Sequence, residues 1–312
     1  MSGLAVLCSG QGYQDAGMFD LLADAPEAQP VFNCARVHLD GVDPRELVRR
    51  TTSEALHANR VGQILCCVQA MAAWAVLKTK VTGPLVVAGY SVGELAAWGV
   101  AGLLDYHEVL ELAARRAAAM DEGATQPGGL ATILGLRRAA LDPICRAHGA
   151  YVAIINGSEH FLVGAPLTAL EAIMRDAQAS GARRTVRLPV AVASHTPLLA
   201  GASAKFLAVL TEMNVPTQVP PNVRLLSGID GNTVFDVRAG ADKLAHQIEQ
   251  TVDWAACMQS CRSANITKVL ELGPGSALAR LMREVMPEGN AHSLSEFHSL
   301  SGVEQWLQGP LA

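Results

Sequence analysis

Five consecutive residues, Gly89-Tyr90-Ser91-Val92-Gly93, have the G-x-S-x-G spacing of a nucleophile elbow. The apolar run Leu85–Ala88 leads into them, and the helix-forming stretch Glu94–Val100 follows at once. A strand-to-helix turn this tight leaves no room for β-carbons around the nucleophile, so glycines flank it. The helix start then brings N–H groups and the positive end of its dipole beside the reacting oxygen. A serine hydroxyl at its ordinary pKa is a weak nucleophile and needs a base within hydrogen-bond reach. The chain has nine histidines, so residue type alone does not choose among them. His195 ends an apolar run shortly before Pro197, which favours a loop at a strand's edge, where functional side chains concentrate. No acid stands out as a third triad member; Asp230 and Asp253 are available but unmarked.

Two further segments bear on chemistry. Ser9-Gly10-Gln11-Gly12-Tyr13-Gln14 follows an apolar run, but the next glycine after Gly12 is Gly17, so the G-x-G-x-x-G dinucleotide fingerprint fails. Such a loop can instead lend a backbone N–H to an oxyanion hole. Arg115 and Arg116 are neighbours in a helical pattern and point about 100° apart, so only one of them can face a given side.

The elements that must position these groups alternate in type. Leu4–Cys8 and Leu85–Ala88 read as buried strands of a parallel sheet. Val61–Leu77, Glu94–Val100 and His107–Glu122 read as helices, the last with Asp105 as N-cap and Gly123 as stop. From about Gly129 the order becomes strand Leu130–Leu134, helix Ala139–His148, strands Tyr151–Ile155 and Phe161–Val163, helix Leu167–Ala179, strand Arg184–Leu188. That is the ferredoxin-like order. A helix over Pro197–Met213 and strands Val223–Ser227 and Lys268–Leu272 follow. The expected fold is α/β: a parallel-sheet core over 1–125 and 190–312 with a ferredoxin-like insert over 126–189.

Composition narrows the function classes. In 312 residues, half are apolar but only 4% aromatic, so the core is built mainly from aliphatic side chains. Net charge is −5 without long runs of one sign, which gives no basic footprint for nucleic acid. Mean hydropathy of +0.23 excludes a disordered chain. The Met1–Gly12 start lacks the basic region and cleavage site of a signal peptide. The most apolar stretch, Ile64–Leu77, is broken by Gln69 and is shorter than the roughly 20 residues of a membrane span, so it reads as a buried helix. Seven cysteines include the adjacent Cys66 and Cys67 and the one-turn pair Cys257 and Cys261, but no C-x-x-C and no zinc-ligand spacing. Reduced, buried thiols in a cytoplasmic protein are the expectation, with no metal.

SGQGYQ near the start, GYSVGE at the elbow, an arginine on the second following helix, a late Ser194-His195 and LELGPG near the end occur in one order from Ser9 to about Arg280. Together they resemble the malonyl-CoA:acyl-carrier-protein transacylases. The resemblance implies an α/β-hydrolase-like core with a ferredoxin-like insert. It implies Ser91 as nucleophile, His195 as general base, and the N–H groups of Gln11 and Val92 as oxyanion hole. Gln247, seven residues before Trp254, matches the position whose backbone carbonyl holds the histidine, which would explain the missing acid. Arg116, four residues before Met120, matches the arginine that binds the malonyl carboxylate, and Asn156 a family asparagine near the site.

Tyr90 stands where most of the family has histidine. GYSVGE and the compact SGQGYQDAGMF are similar to the branch serving malonate decarboxylase, whose epsilon subunit is a malonyl-CoA transferase acting on a carrier with a phosphoribosyl-dephospho-CoA arm. The implied reaction is ping-pong transfer from malonyl-CoA to an acyl carrier protein, with no bound cofactor. The alternatives are the fatty-acid-synthesis transacylase and, in another class, a serine thioesterase or esterase. Arg137, Arg138, Arg183, Arg184 and Arg187 are the candidate patch for an acidic carrier.

Overall fold

A computed structural model describes residues 3–309; the extreme ends of the expected core, 1–2 and 310–312, lie outside them. The described residues form ten strands: β1 (Gly3–Cys8), β2 (Leu85–Gly89), β3 (Gly128–Leu134), β4 (Tyr151–Gly157), β5 (His160–Pro166), β6 (Arg184–Arg187), β7 (Val223–Leu225), β8 (Val252–Asp253), β9 (Ile266–Leu272) and β10 (Asn290–Ser293). One sheet has the order β10-β9-β1-β2-β7, and every pairing in it is parallel. The fold is therefore α/β, with a parallel core sheet.

Every residue of β1 and β2 is buried, as strands covered on both faces must be. Alternation divides β1 between two cores. Leu4, Val6 and Cys8 pack toward the helices Asn59–Leu77, Gly93–Val100 and Tyr106–Gly123. Ala5 and Leu7 pack toward Trp254, Met258, Leu278 and Met282 on the other face. The helix Asn59–Lys80 is long and apolar enough to cross a membrane by those criteria alone, but 78% of its most apolar window is buried inside the protein. It is a core helix. Asp105 caps Tyr106–Gly123 through a capping box with Glu108.

The second sheet has the order β6-β3-β5-β4-β8. β3, β4, β5 and β6 pair antiparallel, while β8 joins β4 in parallel. Helices Arg138–Ala147 and Leu170–Ala179 supply Leu141, Ile144, Leu170 and Ile173 to the core on one face of this sheet, where Ala131, Ile133, Phe161 and Val163 meet them. The period of two sends Leu130, Thr132, Ile154, Asn156, His160 and Leu162 to the opposite face, which walls a cleft. The short β8 lies well outside the 126–189 stretch expected to form this lobe, so a strand from the C-terminal part of the chain completes the sheet. A second difference is at 197–213. Gly201, at φ 93°, breaks the expected helix into the single turn Pro197–Leu199 and the helix Ala202–Glu212.

Candidate active site

The elbow forms where β2 meets the helix beginning at Gly93. The Tyr90 N–H donates to the Cys8 carbonyl at 2.9 Å, tying the turn to the end of β1. A β-carbon at Gly89 would run into the Gly93–Glu94 backbone, and one at Gly93 into the Cys8 carbonyl, so the turn closes only around glycines. Ser91 itself sits at φ 57°, a left-handed conformation that lifts its side chain out of the turn.

Ser91 Oγ lies 2.7 Å from His195 Nε2. His195 also has a left-handed backbone, at φ 62°, and its N–H donates to the Ile248 carbonyl at 2.7 Å. Its Nδ1 is 2.5 Å from the Gln247 carbonyl. A carbonyl only accepts, so the ring proton belongs on Nδ1 and the Nε2 lone pair faces the serine. Burial, reinforced by the nearby Arg116 charge, lowers the imidazole pKa to about 3 although the Gln247 carbonyl pulls the other way. The resting base is therefore neutral and able to take a proton. Histidine 15N NMR is expected to find His195 neutral from about pH 8 down to about pH 4; a midpoint near the ordinary imidazole value of about 6.5 would mean a solvated ring.

Gln247 does more than hold the imidazole. Its Nε2 donates to Glu94 Oε2 at 2.6 Å and to the Ser91 carbonyl at 3.3 Å, and its Oε1 accepts from Arg116 at 3.2 Å. Arg116 is fully buried and also donates to Gln63 Oε1 at 2.7 Å, while its Nε has no partner among the described residues. Arg115, by contrast, pairs with Glu111 on the exposed face. Glu94 is buried too, and burial raises its carboxyl to about 8 even with Gly228 and Gln247 as donors. Desolvation lowers Arg116 to about 10, which leaves it charged near neutrality. The site thus holds a buried cation beside a carboxyl whose ionisation burial opposes.

In front of Ser91 lies a cleft of about 790 Å³. Gln11, Tyr90, Asn156 and His195 line it, whereas Arg116 and Gln247 lie behind its wall. The backbone N–H groups of Gln11 and Val92 donate to no other group among the described residues. Tyr90 packs edge-on against Trp254, with ring centroids 5.3 Å apart, and its hydroxyl faces Asn156. Asn156 Nδ2 is 3.3 Å from His160 Nε2, and Asn156 Oδ1 is buried without a partner. Arg183, Arg184 and Arg280 line the cleft at its exposed margin, whereas Arg137 and Arg138 are paired with Glu159 and Asp142.

Residue patterns did not point to Gln63, Glu94 or His160. The available signals were weak: a glutamine inside an apolar helical run, the last letter of GYSVGE, and a strand alternation that places His160 beside Asn156. All seven cysteines are free, and no group of three or more potential metal ligands occurs among the described residues.

The chain's similarities to known proteins are extensive. Residues 6–298 match the acyl transferase domain family. The malonyl CoA-acyl carrier protein transacylase of Salmonella typhimurium is 27% identical over 310 residues, covering 97% of this chain and 99% of that protein. The acyl-carrier-protein S-malonyltransferase from Burkholderia pseudomallei superposes with a TM-score of 0.88 at 27% identity, over 99% of this chain and 100% of the other. A malonyl-transacylase solved in complex with its type II polyketide acyl carrier protein gives 0.88 at 25% identity, over 99% of each chain.

Proposed function

The chain belongs to the acyl transferase domain family, and on that premise we propose that it is a malonyltransferase. It moves a malonyl group from malonyl-CoA to the prosthetic-group thiol of an acyl carrier protein. The observation that carries the choice of acyl group is Arg116, a buried guanidinium close to the Ser91–His195 pair whose Nε has no partner among the described residues. A free carboxylate on the substrate would give that donor a partner, and an acetyl group would not.

In the proposed reaction His195 Nε2 takes the Ser91 proton as Oγ attacks the thioester carbonyl. Negative charge on the former carbonyl oxygen is met by the Gln11 and Val92 N–H groups. The intermediate collapses to a malonyl ester on Ser91, and the departing sulfur takes the proton from His195, leaving free CoA. The carrier thiol then enters, gives its proton to His195, and attacks the ester. Collapse returns the proton to Ser91 and leaves malonyl on the carrier. The surroundings that keep His195 neutral also make its imidazolium short-lived, which favours prompt delivery of the proton to sulfur.

The finer reading places the enzyme as the epsilon subunit of malonate decarboxylase, in the cytoplasm, where its seven thiols stay reduced. Tyr90 at the elbow, seated on Trp254, supports it. The names of the similar proteins favour the fatty-acid or polyketide carrier instead. A side-by-side transfer assay from malonyl-CoA separates the two. One acceptor carries a phosphopantetheine arm, the other the longer phosphoribosyl-dephospho-CoA arm. Strong preference for the second is expected, and preference for the first would reject the decarboxylase role.

The carrier approaches past Arg183 and Arg184. Reversing both charges with Arg183→Glu and Arg184→Glu is expected to slow transfer to the carrier about tenfold at low salt and much less at high salt. Serine acylation by malonyl-CoA serves as the internal control. An unchanged salt profile would remove these arginines from docking.

A further inference from the structure

The LELGPG segment at the end of β9 takes no part in the steps above, yet it contains a buried carboxyl group. Glu271 is fully enclosed, and both of its oxygens are engaged. Ser9 Oγ donates to one at 2.7 Å, and the backbone N–H of Ala279 donates to the other at 2.8 Å. Ala279 lies in the first turn of the helix Ala277–Val285, whose own N-cap residue, Ser276, supplies no side-chain cap. Glu271 therefore caps that helix from the neighbouring strand, at the end of the dipole that favours negative charge.

Ser9 is bound to the same strand end a second time, its N–H donating to the Leu272 carbonyl at 2.9 Å. Gly273 presses against it, since a β-carbon there would lie 2.8 Å from Ser9 Cβ. Two residues after Ser9 comes Gln11. Gly10 between them lies so close to the elbow that a β-carbon would sit 2.7 Å from the Tyr90 carbonyl oxygen. A shift at Ser9 is thus passed to the Gln11 N–H with little slack. A buried carboxyl is a costly way to fill space, and here it joins a cleft-wall helix to the loop that carries an oxyanion donor.

We propose that Glu271 is a positioning residue for acyl transfer, fixing through Ser9 the place where the Gln11 N–H meets the developing oxyanion. The proposal rests on the roles given above to Ser91 and Gln11. Its test is rapid-mixing acylation of the whole chain by malonyl-CoA, followed by protein mass, for the parent, Ser9→Ala, Glu271→Gln and the double variant. Ser9→Ala keeps the Glu271–Ala279 bond and the Ser9 N–H bond to Leu272 and removes only the side-chain tie from Glu271 to the loop, so it decides the matter even if Glu271→Gln does not fold.

The acylation rate constant is expected to fall about tenfold in each single variant, less than the loss of a whole oxyanion donor. The malonyl-CoA concentration for half-maximal rate should stay within about twofold, every chain should still be acylated at the end point, and the double variant should be no slower than Glu271→Gln. A smaller acylated fraction with an unchanged rate constant would mean a purely structural role and overturn the proposal. So would a Ser9→Ala rate within about twofold of the parent. If the parent itself forms no malonyl-Ser91, the reading of the site falls and the proposal with it.

Discussion

Ser91→Ala is expected to abolish the covalent malonyl-enzyme and to lower malonyl transfer by about 10⁵-fold or more, the scale seen when a nucleophilic serine is removed from a unit that acts together with its base. Among the described residues no other hydroxyl is hydrogen-bonded to His195. The Ser91 oxygen is the one 2.7 Å from His195 Nε2, and the elbow that raises it is closed by Gly89 and Gly93. Intact-protein mass after mixing with malonyl-CoA checks this directly. The parent should gain one malonyl group and the variant none, with thermal stability little changed because only an oxygen at the cleft is lost. A malonyl adduct that persists in the variant would move the nucleophile elsewhere.

Arg116→Ala is expected to cost malonyl transfer about 10³-fold while leaving the slow transfer of acetyl from acetyl-CoA nearly unchanged. A fully desolvated charge pair with good hydrogen bonds loses roughly 3–5 kcal/mol when one partner is removed. The variant loses the donor for the substrate carboxylate. Removing a charge that helps lower the His195 pKa acts the other way, and it does so for both acyl donors alike. An acetyl thioester has no carboxylate for that donor to hold. Comparing kcat/KM for the two donors in both proteins gives the answer. Equal losses would mean that Arg116 supports the fold of the site, through Gln63 and Gln247, without reading the carboxylate.

How much of this was legible in the residues depends on whether a feature is written in side chains or in backbone. β1, β2 and the elbow are short apolar runs bounded by glycine, and the structure places them within a residue of their expected limits. The pair Arg115 and Arg116 divides as a helix must divide it, one exposed and one fully buried. The support for His195 had no side-chain signature, because the group facing Nδ1 is a main-chain carbonyl at the end of the helix Val237–His246. Its position came from resemblance, not from any pattern of charge. Glu94 was hidden for a different reason. An acid in the first turn of a helix reads as ordinary dipole compensation, and only the packed structure turns it inward onto Gln247. β8 is two residues long, too short for any periodicity to declare itself.

The stretch 247–254 has a consequence for anyone exchanging lobes between enzymes of this architecture. Within eight residues it presents the Gln247 and Ile248 carbonyls to His195, pairs Val252 and Asp253 with β4, and seats Trp254 against Tyr90. The second sheet is therefore sewn to the base and to the elbow by a thread that comes from the far end of the gene. A graft of 126–189 alone would carry a new cleft wall but leave its closing strand behind in the host. Chimeras meant to trade acyl or carrier preference should take both pieces together, or accept a wall that meets its catalytic pair out of step.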